Sequence, residues 1–522
     1  MSVDALICNL TRFGDLLQTQ ALIDDLHDSG LSVGLICQNN FSSAVALLNH
    51  ISFWKGLNGA KILAELDSDW KKALLNLTLF TKEIRKETKP KYIINLGPNL
   101  PARLLAKLLS EDGAKIIGFG LDEDGFGYNS GIWASFLAAT TRKRVNAPFN
   151  IVDMFRKVAS PIIKNDLLIR KGSNVLQNPS IDIINKAKNL VENSEKLIGF
   201  QLGASEKRRQ WPISHFIKVG EKLSEIGYIP VLLGTKNEEE LANNYIENSK
   251  HKVINLIGKT TAEELSAVLK LCSLLVTNDT GTMHLAAGCG IKSIAIFLAT
   301  AQPWDTGPYL ENCICLEPDI NCHPCAFGIA CQRNQQCLEK ISADTVSSIA
   351  FQILDNSYNF DESKFNGSRV WRSDFDEYGF SIVKSLNTDD LRNKWMISQR
   401  TFWRQLLDDL DSNKCENLLV DGVMPENVHK ILVQALSILK ILKEQINIIG
   451  KSAKIGQLFL LNCERLQQLL LNCPELVSLG HFWMELRQDR GDKIDNISLF
   501  VEKLSLHIEN WLNKINIGTP LA

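Results

Sequence analysis

Residues 276–290, Val-Thr-Asn-Asp-Thr-Gly-Thr-Met-His-Leu-Ala-Ala-Gly-Cys-Gly, gather in one stretch the groups that hold an anion. The apolar run at 273–277 reads as a short buried strand. Asp279, Thr280, Gly281 and Thr282 follow as a tight turn, and residues 283–288 start a helix. A strand, a polar glycine turn and a helix put backbone N–H groups and a positive helix end at the carboxyl edge of a sheet. That is where α/β proteins hold phosphates. The chemistry indicated is binding of a nucleotide-type ligand. His284 falls in the first turn of the helix, as a structural imidazole or as part of the pocket.

Two earlier segments have the same strand-loop-helix character. Asn9-Leu-Thr-Arg-Phe-Gly-Asp15 follows the first strand, and Gly14 allows a close backbone turn. Asp15 then serves as a helix cap or as a general base at the mouth of a site. Gly203-Ala-Ser-Glu-Lys-Arg-Arg-Gln-Trp-Pro212 sets Ser205 and the cations Lys207, Arg208 and Arg209 ahead of Trp211-Pro212, which opens a helix. A basic loop at a strand end suits a diphosphate, although a solvated basic loop would look the same. Cys322-x2-Cys325-x5-Cys331-x5-Cys337 could close a tetrahedral zinc or iron site of structural type, or could be four reduced thiols. Asp67-Ser-Asp69 and Asp122-Glu-Asp124 follow no convincing core strand and read as acidic loops rather than metal sites.

These residues need a scaffold, and the chain is long enough for about three domains at 522 residues. A 45% hydrophobic and 22% charged composition allows large buried cores. A net charge of −2 gives no global case for nucleic acid. The basic runs 82–91 and 142–144 read as solvated faces or as contact sites for an anionic partner. Asp4 interrupts the start and residues 5–10 read as a core strand, so no signal peptide is expected. No apolar run reaches membrane-spanning length, so a cytoplasmic protein is expected, and its thirteen cysteines are then thiols or metal ligands.

Short apolar runs alternate with helical stretches, which predicts parallel sheets covered by helices. Strands are expected at 5–10, 32–37, 92–95 and 115–118, with helices at 15–29 and 101–110. A second set puts strands at 197–202, 229–233, 253–255, 273–277 and 293–297, with helices at 213–226, 238–249 and 261–270. The domains expected are 1–165, 166–354 and 355–522, the first two α/β with a cleft between them and a hinge near 161–178. In the third, residues 361–385 read as irregular or short-strand structure. Leucine-rich stretches at 428–449 and 455–471, with 497–515, predict a small helical bundle.

The three motifs, in this order, resemble glycosyltransferase family 9, the bacterial ADP-heptose:lipopolysaccharide heptosyltransferases. The likeness rests on Gly14-Asp15, Gly203-Ala-Ser205 with Arg209-x-Trp211-Pro212, Gly234 with Glu238 and Glu239, and 278–287. It covers roughly residues 5–350. The resemblance implies a GT-B fold, two Rossmann-like domains facing a cleft, here followed by an all-α extension. It implies an inverting transferase moving heptose from ADP-heptose onto a lipopolysaccharide core or related surface glycan, with no catalytic cofactor. Asp15 would be the general base. Ser205, Lys207, Arg209, Thr280 and Gly281 would hold the diphosphate, Asp279 and His284 would organise the donor pocket, and Glu238 or Glu239 would reach the ribose. The acceptor would be a glycolipid or a protein, met at the inner face of the cytoplasmic membrane. Many family members have Lys where this chain has Arg209. A protein heptosyltransferase, a catalytically silent scaffold binding a partner through the extension, and a nucleotide-sugar epimerase are the alternatives.

Overall fold

The computed structural model describes residues 3–142, 144, 147–168, 171–387, 391–409, 423–489, 494–514 and 516–518. The first α/β segment runs β1 (Ala5–Cys8), α1 (Phe13–Leu17), α2 (Gln20–Asp28), β2 (Val33–Gln38), β3 (Ile51–Leu57), α3 (Gly59–Ser68), α4 (Trp70–Thr88), β4 (Tyr92–Asn95), α5 (Leu100–Leu109), β5 (Lys115–Leu121), β6 (Gly127–Ser130) and α6 (Ile132–Arg142). Its strands form a six-stranded sheet in the order β3-β2-β1-β4-β5-β6. β1 is parallel to β2 with Ala5 opposite Val33, and β6 returns antiparallel to β5. Every residue of β1 is buried, as expected for a strand covered on both faces.

After α7 (Ile151–Val158), α8 (Asn165–Leu168) and α9 (Ile181–Leu190) a second segment begins. It comprises β7 (Leu197–Gln201), α10 (Ile213–Glu225), β8 (Ile229–Leu233), α11 (Glu239–Asn248), β9 (Ile254–Asn255), α12 (Ala262–Leu271), β10 (Cys272–Asn278), α13 (Gly281–Gly288) and β11 (Ser293–Ile296). It ends with α14 (Pro303–Thr306), β12 (Ile314–Pro318), α15 (Ala343–Leu354), β13 (Ser368–Phe375) and β14 (Ser381–Ser385). The eight strands lie in the order β14-β13-β12-β11-β10-β7-β8-β9. Pairing is parallel from β12 through β9 and antiparallel for β13 and β14. Beneath the sheet Phe200, Trp211, Phe216, Tyr245 and Val346 form one apolar core.

The remaining helices are α16 (Leu391–Asp408), α17 (Glu426–Ile446), α18 (Ala453–Leu471), α19 (Val477–Gln488) and α20 (Ile494–Lys514). By internal contact the chain divides into two compact units. One is Met1–Ile93, Leu108–Lys115 and Asn150–Thr388, and it contains all of the second sheet. The other is Ile94–Lys107, Ile116–Phe149 and Asp389–Ala522. Its interior is aromatic: Phe136 packs on Trp403, and Trp403 meets Phe482 edge to face. Arg142 is held there by Glu485, at 2.9 and 2.7 Å.

Three local outcomes differ from the periodicity. The helix expected over 15–29 is two helices broken at Gln18 and Thr19. The Asn9 amide and the Thr19 hydroxyl both donate to the Asp15 carbonyl, at 3.3 and 3.0 Å, and the first helix ends there. α3 and α4 were not foreseen, since α3 has no buried residue and so shows no stripe. Of the irregular and short-strand readings of 361–385 the strand one holds, but β13 and β14 extend the second sheet and do not belong to the helical third domain.

Candidate functional site

The register of the second sheet sets its carboxyl edge level. Gln201 at the end of β7 lies opposite Thr277 of β10 and opposite Leu233 of β8. From β7 the order runs outward to β8 and β9, and from β10 to β11 and β12 on the other side. The gap between β7 and β10 is therefore the switch point where open α/β sheets take ligands. The loops after β7, β8 and β10 all emerge at this edge.

Asn278 fastens them. Its buried side-chain amide donates to the carbonyls of Leu202 at 2.9 Å and Gly203 at 3.2 Å, and its Oδ1 accepts from the Trp211 N–H at 2.9 Å. The loop carrying Arg209 is thereby tied to the strand before α13. Arg209 donates to the Ser205 hydroxyl at 3.0 Å, to the Asp279 carbonyl at 3.1 Å and to the Asp279 carboxylate. Its guanidinium is thus fixed in the plane these acceptors define, while Ser205 and Lys207 are exposed beside it. Asp279 is a positioning residue for Arg209 in this arrangement.

Thr280 is the N-cap of α13, and its side chain makes no capping bond. The first amides of α13, beginning at Gly281, face the same edge as Arg209. A helix start with a fixed guanidinium beside it is an anion site by dipole and by hydrogen bonding.

α1 packs against the start of α13 at this edge. A Cβ placed on Gly281 would lie 3.0 Å from Phe13 Cδ1 and 3.5 Å from the Gly14 nitrogen. A Cβ on Gly14 would lie 2.9 Å from His284 Cδ2 and 3.2 Å from Gly281 Cα. Two helix N-termini therefore touch through two glycines, and a side chain at either position would force its neighbour to shift. His284 is buried, with its ring edge against Gly14. Asp15 is not the N-cap of its helix. Arg12 is, and Asp15 stands three residues on, where its Oδ2 accepts from the Arg12 N–H at 3.4 Å. Asp15 also lines a cavity of about 710 Å³ with Arg12, Gln38, Asn39, Phe41 and Asn58.

Glu238 and Glu239 part company. The Glu238 carboxylate accepts from the Thr235 N–H at 2.6 Å and from the Gln201 amide at 2.7 Å. A Cβ on Gly203 would stand 1.8 Å from Glu238 Oε1, so Gly203 is needed to admit this carboxylate to the sheet edge. Gln201 in turn accepts from the Thr282 hydroxyl at 2.7 Å, linking the β8 loop to α13. Glu239 is exposed in the first turn of α11. Gln201 was missed by sequence reasoning, because a strand-terminal Gln has no signature of its own.

Cys322, Cys325, Cys331 and Cys337 lie in the loop between β12 and α15. Cys331 accepts the N–H groups of Arg333 at 3.4 Å and Gln335 at 3.3 Å, which hold its thiol below the ordinary value. Burial raises Cys325 and Cys337. Among the described residues no group of three or more His, Cys, Asp or Glu side chains is arranged to hold a metal ion. The thiols are nevertheless neighbours, Cys325 and Cys337 being raised also by the charge of the others beside them. The acidic triplets have structural duties: Asp69 caps α4, and Asp122 Oδ1 accepts from the Phe126 N–H at 2.8 Å in the β5–β6 turn.

The sheet edge thus gathers Arg209, the start of α13 and the helix turn bearing Asp15. The chain is similar to glycosyltransferase family 9. The model of that family, described as glycosyltransferase family 9 (heptosyltransferase), matches residues 125–335, which include the segments 203–212 and 278–287 but not Asp15. Lipooligosaccharide heptosyltransferase 2 of Campylobacter jejuni subsp. jejuni serotype O:2 is 32% identical over 177 residues, 32% of this chain and 54% of that protein. Lipopolysaccharide heptosyltransferase 2 of Salmonella typhimurium is 28% identical over 161 residues, 30% of this chain and 46% of that protein. The chain spans about half the length of the curated relatives it matches. The solved glycosyl transferase family 9 structure from Veillonella parvula superposes with a TM-score of 0.52 at 20% identity, over 68% of this chain and 99% of that one. That likeness shows the fold: two α/β sheets of the GT-B kind, to which this chain adds its C-terminal helices.

Proposed function

We propose that the chain is an inverting heptosyltransferase that moves heptose from ADP-heptose to a saccharide of the lipopolysaccharide core. The observation that carries this reading is the contact of α1 with α13 through Gly14 and Gly281. It brings the helix turn bearing Asp15 against the helix turn bearing Thr280 and Gly281. Asp15 removes the proton of an acceptor hydroxyl. The oxygen attacks the anomeric carbon from the face opposite the diphosphate, the carbon–oxygen bond to phosphate breaks, and ADP leaves with the electron pair. Asp15 keeps the proton. The charge gathering on the diphosphate is met by the amides of α13, by Arg209, and by Ser205 and Lys207.

Glu238, at the carboxyl edge and adjoining Gly203, is better placed than Glu239 to reach a ribose. The cavity beside Asp15 is assigned to the acceptor. Residues 1–165 and 166–354 are proposed as acceptor domain and donor domain, the latter carrying on through the strands at 368–385 that join its sheet, with the rest of 355–522 as a helical extension and the cytoplasm as the site of action. No described helix is long and apolar enough to cross a membrane.

The test is thermal-shift titration with ADP, UDP and GDP on the parent and on an Arg209→Ala, Thr280→Ala double variant. Preferential stabilisation by ADP, lost in the variant, is expected. Absence of stabilisation by any nucleotide would remove the reading and favour a scaffold.

A further inference from the structure

Helices α3 and α4 expose more apolar surface than a free helix pair in water should. Leu63 is 64% exposed, Trp70 59%, Leu75 56% and Leu79 54%, with Leu66 and Leu74 close behind. Exposed apolar side chains gathered on one helix pair mark a docking surface. Its occupant is indicated by the charges in the same face. Lys71, Leu75, Leu79, Lys82 and Lys86 follow one another at steps of four, four, three and four residues, which is a single stripe of one helix. All five are exposed, while Ala73, Thr81 and Ile84 on the opposite side are buried. Lys61 is exposed on α3.

The neighbouring acids are largely engaged. The Asp69 carboxylate accepts the N–H groups of Lys71 and Lys72 at the start of α4. Glu83 is paired with Lys55 at 2.8 Å, and Glu65 accepts from the Asn76 amide at 2.7 Å. Asp67 remains exposed on α3. A second copy of this face would set lysine stripe against lysine stripe, and like charges would oppose it. Leucines interleaved with lysines match instead the boundary of an anionic bilayer, where apolar side chains enter the acyl region and ammonium groups meet phosphates.

We propose that the outer face of α3 and α4 docks on anionic phospholipid membranes. Leu63 and Ala60 of α3 also line the cavity that contains Asp15. Docking would therefore hold the mouth of that cavity at the lipid surface, within reach of a lipid-carried acceptor. The acceptor consequence rests on the transferase reading, whereas the docking does not.

The test is co-sedimentation of the full chain with vesicles of phosphatidylcholine alone and of phosphatidylcholine with phosphatidylglycerol in equal parts. Two double variants accompany it, Lys71→Ala with Lys82→Ala, and Leu75→Gln with Leu79→Gln. Both alter exposed side chains, and unchanged thermal melting checks that the fold survives. Binding to the mixed vesicles is expected, with partition about tenfold or more weaker in the lysine variant and weaker again in added salt. The leucine variant is expected to lose binding as well. The proposal is overturned if the parent ignores anionic vesicles or if both variants bind like the parent. It is also overturned if the leucine variant abolishes a dimer seen by light scattering while lipid binding is unchanged. ADP stabilisation measured on the same samples reports separately on the donor site, so failure of one does not pass for failure of the other.

Discussion

Replacing Gly14 by alanine probes the contact on which the site depends. The added Cβ would stand 2.9 Å from His284 Cδ2 and 3.2 Å from Gly281 Cα. Carbon atoms rest about 3.5–4.0 Å apart, so α1 or the imidazole must move by roughly 0.6–1.1 Å. His284 is buried and Gly281 is backbone, so the displacement falls mainly on α1, which carries Asp15. Overpacking of this kind costs about 1–3 kcal/mol of stability. A misplacement of about 1 Å in a reacting group costs on the order of a hundredfold in rate. Steady-state transfer with ADP-heptose should accordingly show kcat down by about that factor, with ADP binding close to that of the parent. A variant that folds, binds ADP and transfers within about twofold of the parent would refute the argument that this apposition positions the base.

Asp15→Asn removes the base and leaves the anion site alone, so kcat should fall by about a hundred to ten-thousandfold while ADP stabilisation persists. Arg209→Ala should weaken ADP binding roughly ten to a hundredfold in a thermal-shift titration. Arg209→Lys should recover only part of this, because an ammonium cannot engage Ser205 and both Asp279 oxygens in one plane. The Asp4 carboxylate is held down at about 2, first by its bond to Lys91 and then by those to Ser32. Its folded value is below the ordinary 3.8, so its stabilisation is present above about pH 4 and is lost as pH falls through about 2. Melting temperatures of the parent and Asp4→Asn should differ by a constant amount from neutral pH down to about 5, draw together between about 4 and 2, and coincide below that.

The β7–β10 edge of the second sheet was legible because its signals are local. The apolar run of β10, the turn at Asp279 and Thr280 and the start of α13 lie within one short stretch, and glycine punctuation fixes their order. The same holds for Ser205 and Arg209 ahead of Trp211-Pro212. What could not be read depends on distant partners. The pairing of Cys315 with Trp371, which draws β13 into the second sheet, joins residues that share no local pattern. The roles of Gln201 and of the Asp279 carboxylate arise only once three loops share an edge. The break between α1 and α2 follows from Asn9 reaching the Asp15 carbonyl, a bond no helical period encodes. α3 and α4 escaped notice for the opposite reason: their leucines face outward, so the expected link between apolar spacing and burial fails there.

The central claim is that Asp15 and the β10–α13 turn act together on one sugar transfer. The most direct measurement is the anomeric configuration, by NMR, of the linkage formed when the full chain is given ADP-heptose and a lipopolysaccharide-core acceptor, alongside Asp15→Asn. The account predicts a product of configuration opposite to the donor, and no product from a variant that still binds ADP. Retained configuration, or undiminished transfer by Asp15→Asn, would contradict it.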